Sequence, residues 1–229
     1  MLQSLLNSLQ SLSPPDGHIL VAGDIWINQS QCQDLEGARP ECVRHPSAAG
    51  LALGLADAGL TVTLVGFVGD DDLAGAIEKP LHVAGVASDL LHIKHWQTFT
   101  DRALDSLANT KGALDAQGRR RRRHRDERAL PIDGMSEYEA HLQNRAERYM
   151  HNASAVVLVD YDLGSIAEPR ALIFVANQLG IPCIAALGSQ RRADQYTEAD
   201  RLLQVSDCSL TRSVDKIASS LPPMREGSS

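Results

Sequence analysis

The sequence predicts an α/β fold with a mainly parallel central sheet. Three observations carry that prediction. Short apolar runs take turns with stretches of helical periodicity, the runs are unbroken as in strands covered on both faces, and the links between them are short. With 229 residues, 43% of them apolar, the chain can bury a substantial core, and 17 Gly with 10 Pro lie far from collagen-like or wholly disordered usage.

The elements follow in order. Leu2, Leu5, Leu6, Leu9 and Leu12 share one helical face, and Ser13-Pro14-Pro15-Asp16-Gly17 stops that helix. His18 to Ala22 is a buried strand ending at Gly23-Asp24. Ser47 to Gly59 reads as a small-residue helix, and Thr61 to Val65 as the strand after it. Gly66 to Asp72 is then a strand-end turn. From Asp70 to Gly85 the apolar residues Leu73, Ala76, Ile77, Leu81 and Ala84 line one side of a helix that Pro80 is expected to kink or split and Gly85 to end. Residues 86–128 lack helical periodicity and are read as an irregular, lid-like β excursion. Ser136-Glu-Tyr-Glu139 has the capping-box form and opens a helix through Tyr149. Ala155 to Val159 is the clearest strand, followed by a helix over 168–179, a strand over 181–186 and a last helix carrying Val214, Ile217 and Ala218. The organisation expected is a helix and turn over 1–17, one domain over 18–220, and a disordered tail over 221–229.

Charge narrows the partners. The net charge is −7, yet residues 119–128 hold seven arginines against two acids, leaving 15 bases and 27 acids elsewhere, a net −12. An acidic body repels the phosphate backbone that its basic segment attracts, so nucleic acid is not the expected partner. The Arg run, with Arg119, Arg121, Arg123 and Arg125, fits a phosphate, an acidic protein partner, or a solvated edge whose charge prevents edge pairing. No apolar run spans a bilayer and no basic residue precedes the first apolar stretch, so neither membrane anchor nor secretory signal is expected, and the location expected is cytoplasmic. Cys32, Cys42, Cys183 and Cys208 form no Cys-x-x-Cys pair, and reduced thiols are the simplest account.

In a parallel sheet, ligands meet the chain just beyond the carboxyl ends of the strands. Gly23-Asp24, Gly66 to Asp72 and Asp160-Tyr161 occupy those places, and each holds acids. The plain alternative for the acids at 70–72 is that they belong to a helix's first turn. His92 and His95 have metal-ligand spacing but no accompanying acid or Cys, and are read as solvent-facing. Trp26 and Trp96 stand apart from the basic run, and no nucleophile elbow or Walker-type loop occurs.

The ordered set Ile19 to Asp24, Ala58-Gly59, Val65 to Asp71 with Gly75, Thr110-Lys111, Arg125-Asp126-Glu127 and Val157 to Gly164 resembles the PfkB/ribokinase sugar kinases. It is nearest the heptose-7-phosphate kinase domain of bifunctional ADP-heptose synthases. The resemblance runs from about Leu20 to Tyr196 and implies a ribokinase-like layered fold. It also implies a sugar site at Asp24, Asn28, Gly50, Lys111 and Asp160, and ATP with Mg2+ if the chain is active.

Departures from the family pattern weaken the activity. The family's Gly-Gly-Ala-Ala-Asn reads Pro46-Ser47-Ala48-Ala49-Gly50, an Asp that grips sugar hydroxyls reads Asn28, and the Lys of Asp-Tyr-x-Lys-Gly reads Leu163. A Gly-Ala-Gly-Asp segment, which would cradle the transferring phosphate and take the acceptor's proton, does not occur in these residues, so the fold expected is a ribokinase-like one shortened at its C-terminal end relative to the family. The expectation is therefore a pseudokinase that binds a sugar phosphate or a partner, with no catalytic residue and no metal ligand assigned. Two alternatives stand beside it: an active kinase completed by a second chain or a divergent site, with nucleotide near residues 186–207, and a non-enzymatic structural subunit. An open sheet edge favours a homo-oligomer or a partner covering it.

Overall fold

The computed structural model describes residues 17–28, 42–101, 135–188, 190–205 and 210–221. The expected opening helix, the tail, Lys111 and the Arg run lie outside them.

Six parallel strands form the main sheet: β1 (His18–Gly23), β3 (Val62–Gly69), β4 (Ala87–Ile93), β6 (Ala153–Asp160), β7 (Cys183–Leu187) and β8 (Arg201–Gln204), in the order β4-β3-β1-β6-β7-β8. Two short strands, β2 (Trp26–Ile27) and β5 (Phe99–Thr100), pair in parallel beside it. Helices α1 (Ala48–Asp57), α2 (Asp72–Val83), α3 (Met135–Met150), α4 (Pro169–Leu179) and α5 (Leu210–Ala218) complete the regular structure, with a 3₁₀ turn over Gln190–Gln195. Right-handed crossovers that first run from β1 toward β4 and then from β6 toward β8 put their helices on opposite faces. Accordingly α1 packs with both α2 and α5, and α3 packs with α4. The expected α/β class with a mainly parallel sheet is what the chain forms.

The strand interiors explain the sheet. β1, β3 and β7 are buried at every residue, and β6 at all but Ser154, so each Ile, Leu or Val there contributes roughly 1.5–3 kcal/mol of burial. The edge strand β8 is exposed at all but one residue, and the other edge strand, β4, is exposed or half-buried at all but Ile93. Ser47 caps α1 by accepting from the Gly50 amide, Pro169 opens α4 in its first turn, and Gly180 closes α4 in the left-handed conformation.

Three expectations need correction. Gly66 to Gly69 are not a turn but the end of β3, because these glycines serve close approach: a Cβ at Gly66 would lie 2.5 Å from the Ile25 side chain, and one at Gly69 would lie 2.5 Å from backbone atoms of Trp96 and Thr98. Pro80 does not split α2: it forfeits its own N–H bond to the carbonyl four residues back, but only three helical residues follow it, so little helix remains to be turned aside. Cys42 is disulfide-bonded, whereas Cys183 is a buried free thiol whose pKa burial pushes up to about 12.

Candidate functional site

The strand order reverses between β1 and β6, and the crevice of a doubly wound sheet opens at the carboxyl ends of such a pair. Gly23 and Asp24 leave β1 there, and Asp160 and Tyr161 leave β6. Gly23 is required at its position: its φ is +137°, and a Cβ would stand 2.0 Å from the Val159 carbonyl oxygen. The Asp24 amide donates to that same oxygen at 2.9 Å, so β1 hands its last hydrogen bond to β6 and turns inward.

Asp24 is fully buried, and its carboxylate is enclosed by the loop after β6. Oδ2 accepts from the amides of Tyr161 at 2.7 Å and Leu163 at 3.1 Å, and Oδ1 from that of Ser165 at 3.1 Å. Its pKa is nonetheless pushed up to about 6, first by burial and then by the neighbouring Asp160 carboxylate, against the opposing pull of Ser165 and the Leu163 and Tyr161 amides. Asp160 is also buried. Its Oδ1 accepts from the Asp162 amide at 2.6 Å and its Oδ2 from the Tyr196 hydroxyl at 2.7 Å.

Aromatic rings fill the space around these acids. The Tyr161 hydroxyl donates to the Pro46 carbonyl at 2.7 Å, and its ring closes so tightly on Gly188 that a Cβ there would meet it at 2.1 Å. Trp26 meets Tyr161 edge-on and stacks on His45 at 3.5 Å. Burial drives the His45 pKa down to about 3, so the imidazole is neutral in the physiological range. The carbonyls of Cys42 and Trp26 lie close enough to favour its charged form, but neither ring nitrogen reaches hydrogen-bonding geometry.

Of the other sequence-predicted residues, Gly50 sits in the first turn of α1, where a Cβ would collide with the His45 carbonyl at 1.8 Å, so it packs α1 onto the His45 segment. Asn28 follows β2, and its amide donates to the Cys42 carbonyl at 3.0 Å. The structure thus groups Asp24 with Asp160 and sets Gly50 on the Pro46 side of Tyr161. Lys111, Arg119, Arg121, Arg123 and Arg125 fall outside the described residues. Asp71 caps α2 through the Ala74 amide and also accepts from Thr98, so it plays the first-turn part. His92 pairs with Glu78 at 2.9 Å, and both it and His95 are exposed. Sequence reading missed Tyr196, Ser165, Trp26 and His45. Only the position of Trp26 just beyond a strand end offered a signal.

Among the described residues no group of three His, Cys, Asp or Glu is placed to hold a metal ion, and no helix is long and apolar enough to cross a membrane. Chemically, the centre of this region is closed. Its two carboxylates are bound by groups of the same chain, and its imidazole is held neutral.

No family model matches the chain. It is similar to the bifunctional protein HldE of Marinomonas sp. (strain MWYL1), 30% identical over 178 residues that make up 73% of this chain and 35% of that protein. It is also similar to the bifunctional protein HldE of Shewanella denitrificans, 26% identical over 71% of this chain and 34% of the relative. The chain therefore spans about a third of the length of the curated relatives it matches. Among solved structures, a fructokinase from Xylella fastidiosa with bound ATP aligns at 16% identity and a TM-score of 0.49, over 82% of this chain and 61% of that one. A carbohydrate kinase from Agrobacterium tumefaciens aligns at 15% identity and 0.48, over 81% and 60%. The chain is a relative in sequence of the bifunctional HldE proteins, over most of its own length and a third of theirs, and its parallel layered sheet is of the kind that its resemblance to ribokinase-like carbohydrate kinases implies.

Proposed function

We propose that this chain is a carbohydrate-kinase-like protein that binds a sugar phosphate or a protein partner and does not transfer phosphate at ordinary kinase rates. The observation that carries the reading is the state of the two switch-point carboxylates. Asp24 and Asp160 are buried and committed to the amides of residues 161–165 and to Tyr196, so neither is presented to a sugar hydroxyl or to ATP-bound Mg2+. Phosphoryl transfer depends on positioned charge and on a group that takes the acceptor's proton, and carboxylates turned inward provide neither. The substitutions at Asn28, Gly50 and Leu163 relative to the family pattern act in the same direction. Asn28 keeps hydrogen-bonding capacity for a sugar, and Lys111 with Arg119, Arg121, Arg123 and Arg125 supplies cations for a phosphate or an acidic partner.

The direct test incubates the purified protein with ATP, Mg2+ and a heptose 7-phosphate. The expected result is thermal stabilisation by the sugar phosphate with no turnover, because a ligand that prefers the native state raises its stability in proportion to occupancy. Turnover by the chain alone at ordinary kinase rates overturns the reading. Turnover only after a second chain is added favours an active kinase completed by a partner.

A further inference from the structure

We propose that the loop of residues 161–165 is an amide nest for a small monoanionic carboxylate, and that in this chain Asp24 is its resident occupant. The loop's backbone builds the site. Asp162 has φ +63° and Gly164 φ +107°, while the residues between and beside them hold ordinary φ values. In an extended segment the amides of every second residue point the same way along parallel lines. Left-handed residues between them curl the chain, so that those amides converge on one point, which is the geometry of an anion-binding concavity. Here the amides of Tyr161, Leu163 and Ser165 converge on the Asp24 carboxylate at 2.7, 3.1 and 3.1 Å. The carboxylate comes from a residue 137 to 141 positions away in sequence, so the nest is formed by the loop itself and not by a local turn around its own side chain.

The surroundings set the class of anion. Asp160, which borders the nest, raises the energy of negative charge at Asp24, and the side chain is shut off from water. A site with three amides and an adjacent carboxylate accepts one negative charge more readily than two, so it suits a carboxylate and disfavours a phosphate dianion. Tethering gives the Asp24 carboxylate a local concentration that no dissolved anion matches, so the native chain keeps external anions out. The inference stands whether or not the chain binds a sugar phosphate elsewhere.

The experiment is chemical rescue of Asp24→Ala. Thermal unfolding of the variant and of the native chain is followed in formate, acetate, inorganic phosphate and chloride at equal ionic strength and neutral pH. The variant is expected to unfold at a lower temperature than the native chain. Formate should recover the larger part of that loss, acetate less because of its methyl group, phosphate no more than chloride does, and the native chain should respond to none specifically. Formate acting no better than chloride overturns the proposal, as does a variant that melts with the native chain. Rescue by phosphate above formate overturns the assigned class of anion. Should the variant fail to fold in chloride, refolding in formate supports the nest and failure there overturns it. In the native chain, the amide resonances of Tyr161, Leu163 and Ser165 should shift together through one midpoint as Asp24 is titrated, and three unrelated profiles also overturn the proposal.

Discussion

Asp24 and Asp71 both follow a parallel strand that ends in glycine, Gly23 directly before Asp24 and Gly69 two residues before Asp71, and both accept from a backbone amide nearby in space. Their work differs in reach and burial. Asp71 serves its own helix through Ala74 and ties in Thr98, 27 residues on, from a partly exposed position. Asp24 is sealed from solvent and organises a loop on the far half of the sheet. A carboxylate at a strand end is thus a local cap where water reaches it. At the reversal of strand order, between the two halves of the sheet, it becomes a clasp.

The glycines test this contrast most severely. Gly23→Ala places a methyl group 2.0 Å from the Val159 carbonyl and forces a side chain onto φ +137°, whereas Gly69→Ala meets backbone at 2.5 Å with no conformational strain. Gly23→Ala is expected to lower stability by about 4 kcal/mol or more, and Gly69→Ala by roughly 1–3 kcal/mol, measured by urea denaturation. Equal losses would break the contrast, because they would mean that β1 and β6 can separate as easily as β3 and the segment at 96–98.

The second effect in size is a pH dependence that belongs to Asp24. Its proton is held in the native state up to about pH 6 but leaves the unfolded chain near 3.8. Below both values the group is protonated in both states, and its contribution is fully present. Between them the native state binds the extra proton, so stability falls as pH rises, and above about 6 the slope is gone. The span corresponds to about 3 kcal/mol. Asp24→Asn cannot titrate, so the stability difference between native chain and variant should shrink by about that amount from pH 4 to pH 7. A difference that stays flat across that range would show that the clasp is ionised throughout.

The sequence made the sheet legible and the clasp illegible, for one physical reason. Burial on both faces writes itself into contiguous residues, and so Ile19 to Ala22 and Ala155 to Val159 read as central strands at once. The meaning of Asp24 lies in partners at 161, 163 and 165, and that of Asp160 partly in Tyr196, pairings that no local pattern announces. Glycines mislead in the same way. Gly66 and Gly69 look like turn formers, yet they stand inside β3 because Ile25 and residues 96–98 press against it. The position of Asp24 and Asp160 at adjacent strand ends was readable from the order of strands and helices. That their carboxylates face inward was not.

The smallest expected effect comes from Asp71. Replacing it by Ala removes the cap on the Ala74 amide at 3.2 Å and leaves the Thr98 amide and hydroxyl without their acceptors at 2.8 and 2.7 Å. The cap alone is worth about 1 kcal/mol. Thr98 is buried, which adds to the loss, but Asp71 itself is partly exposed, so water can follow the truncated side chain and return part of it. A total near 2 kcal/mol is expected, recovered in large part by Asp71→Asn, whose amide oxygen still accepts and which remains a good cap. The same conservative exchange at Asp24 should recover little, because its two oxygens accept three amides and an –NH2 in place of one would point a donor at donors. Denaturation of the four variants, Ala and Asn at each position, reads this directly. If Asn rescues both sites equally, the two carboxylates are the same kind of cap, and depth in the sheet makes no difference to what they do.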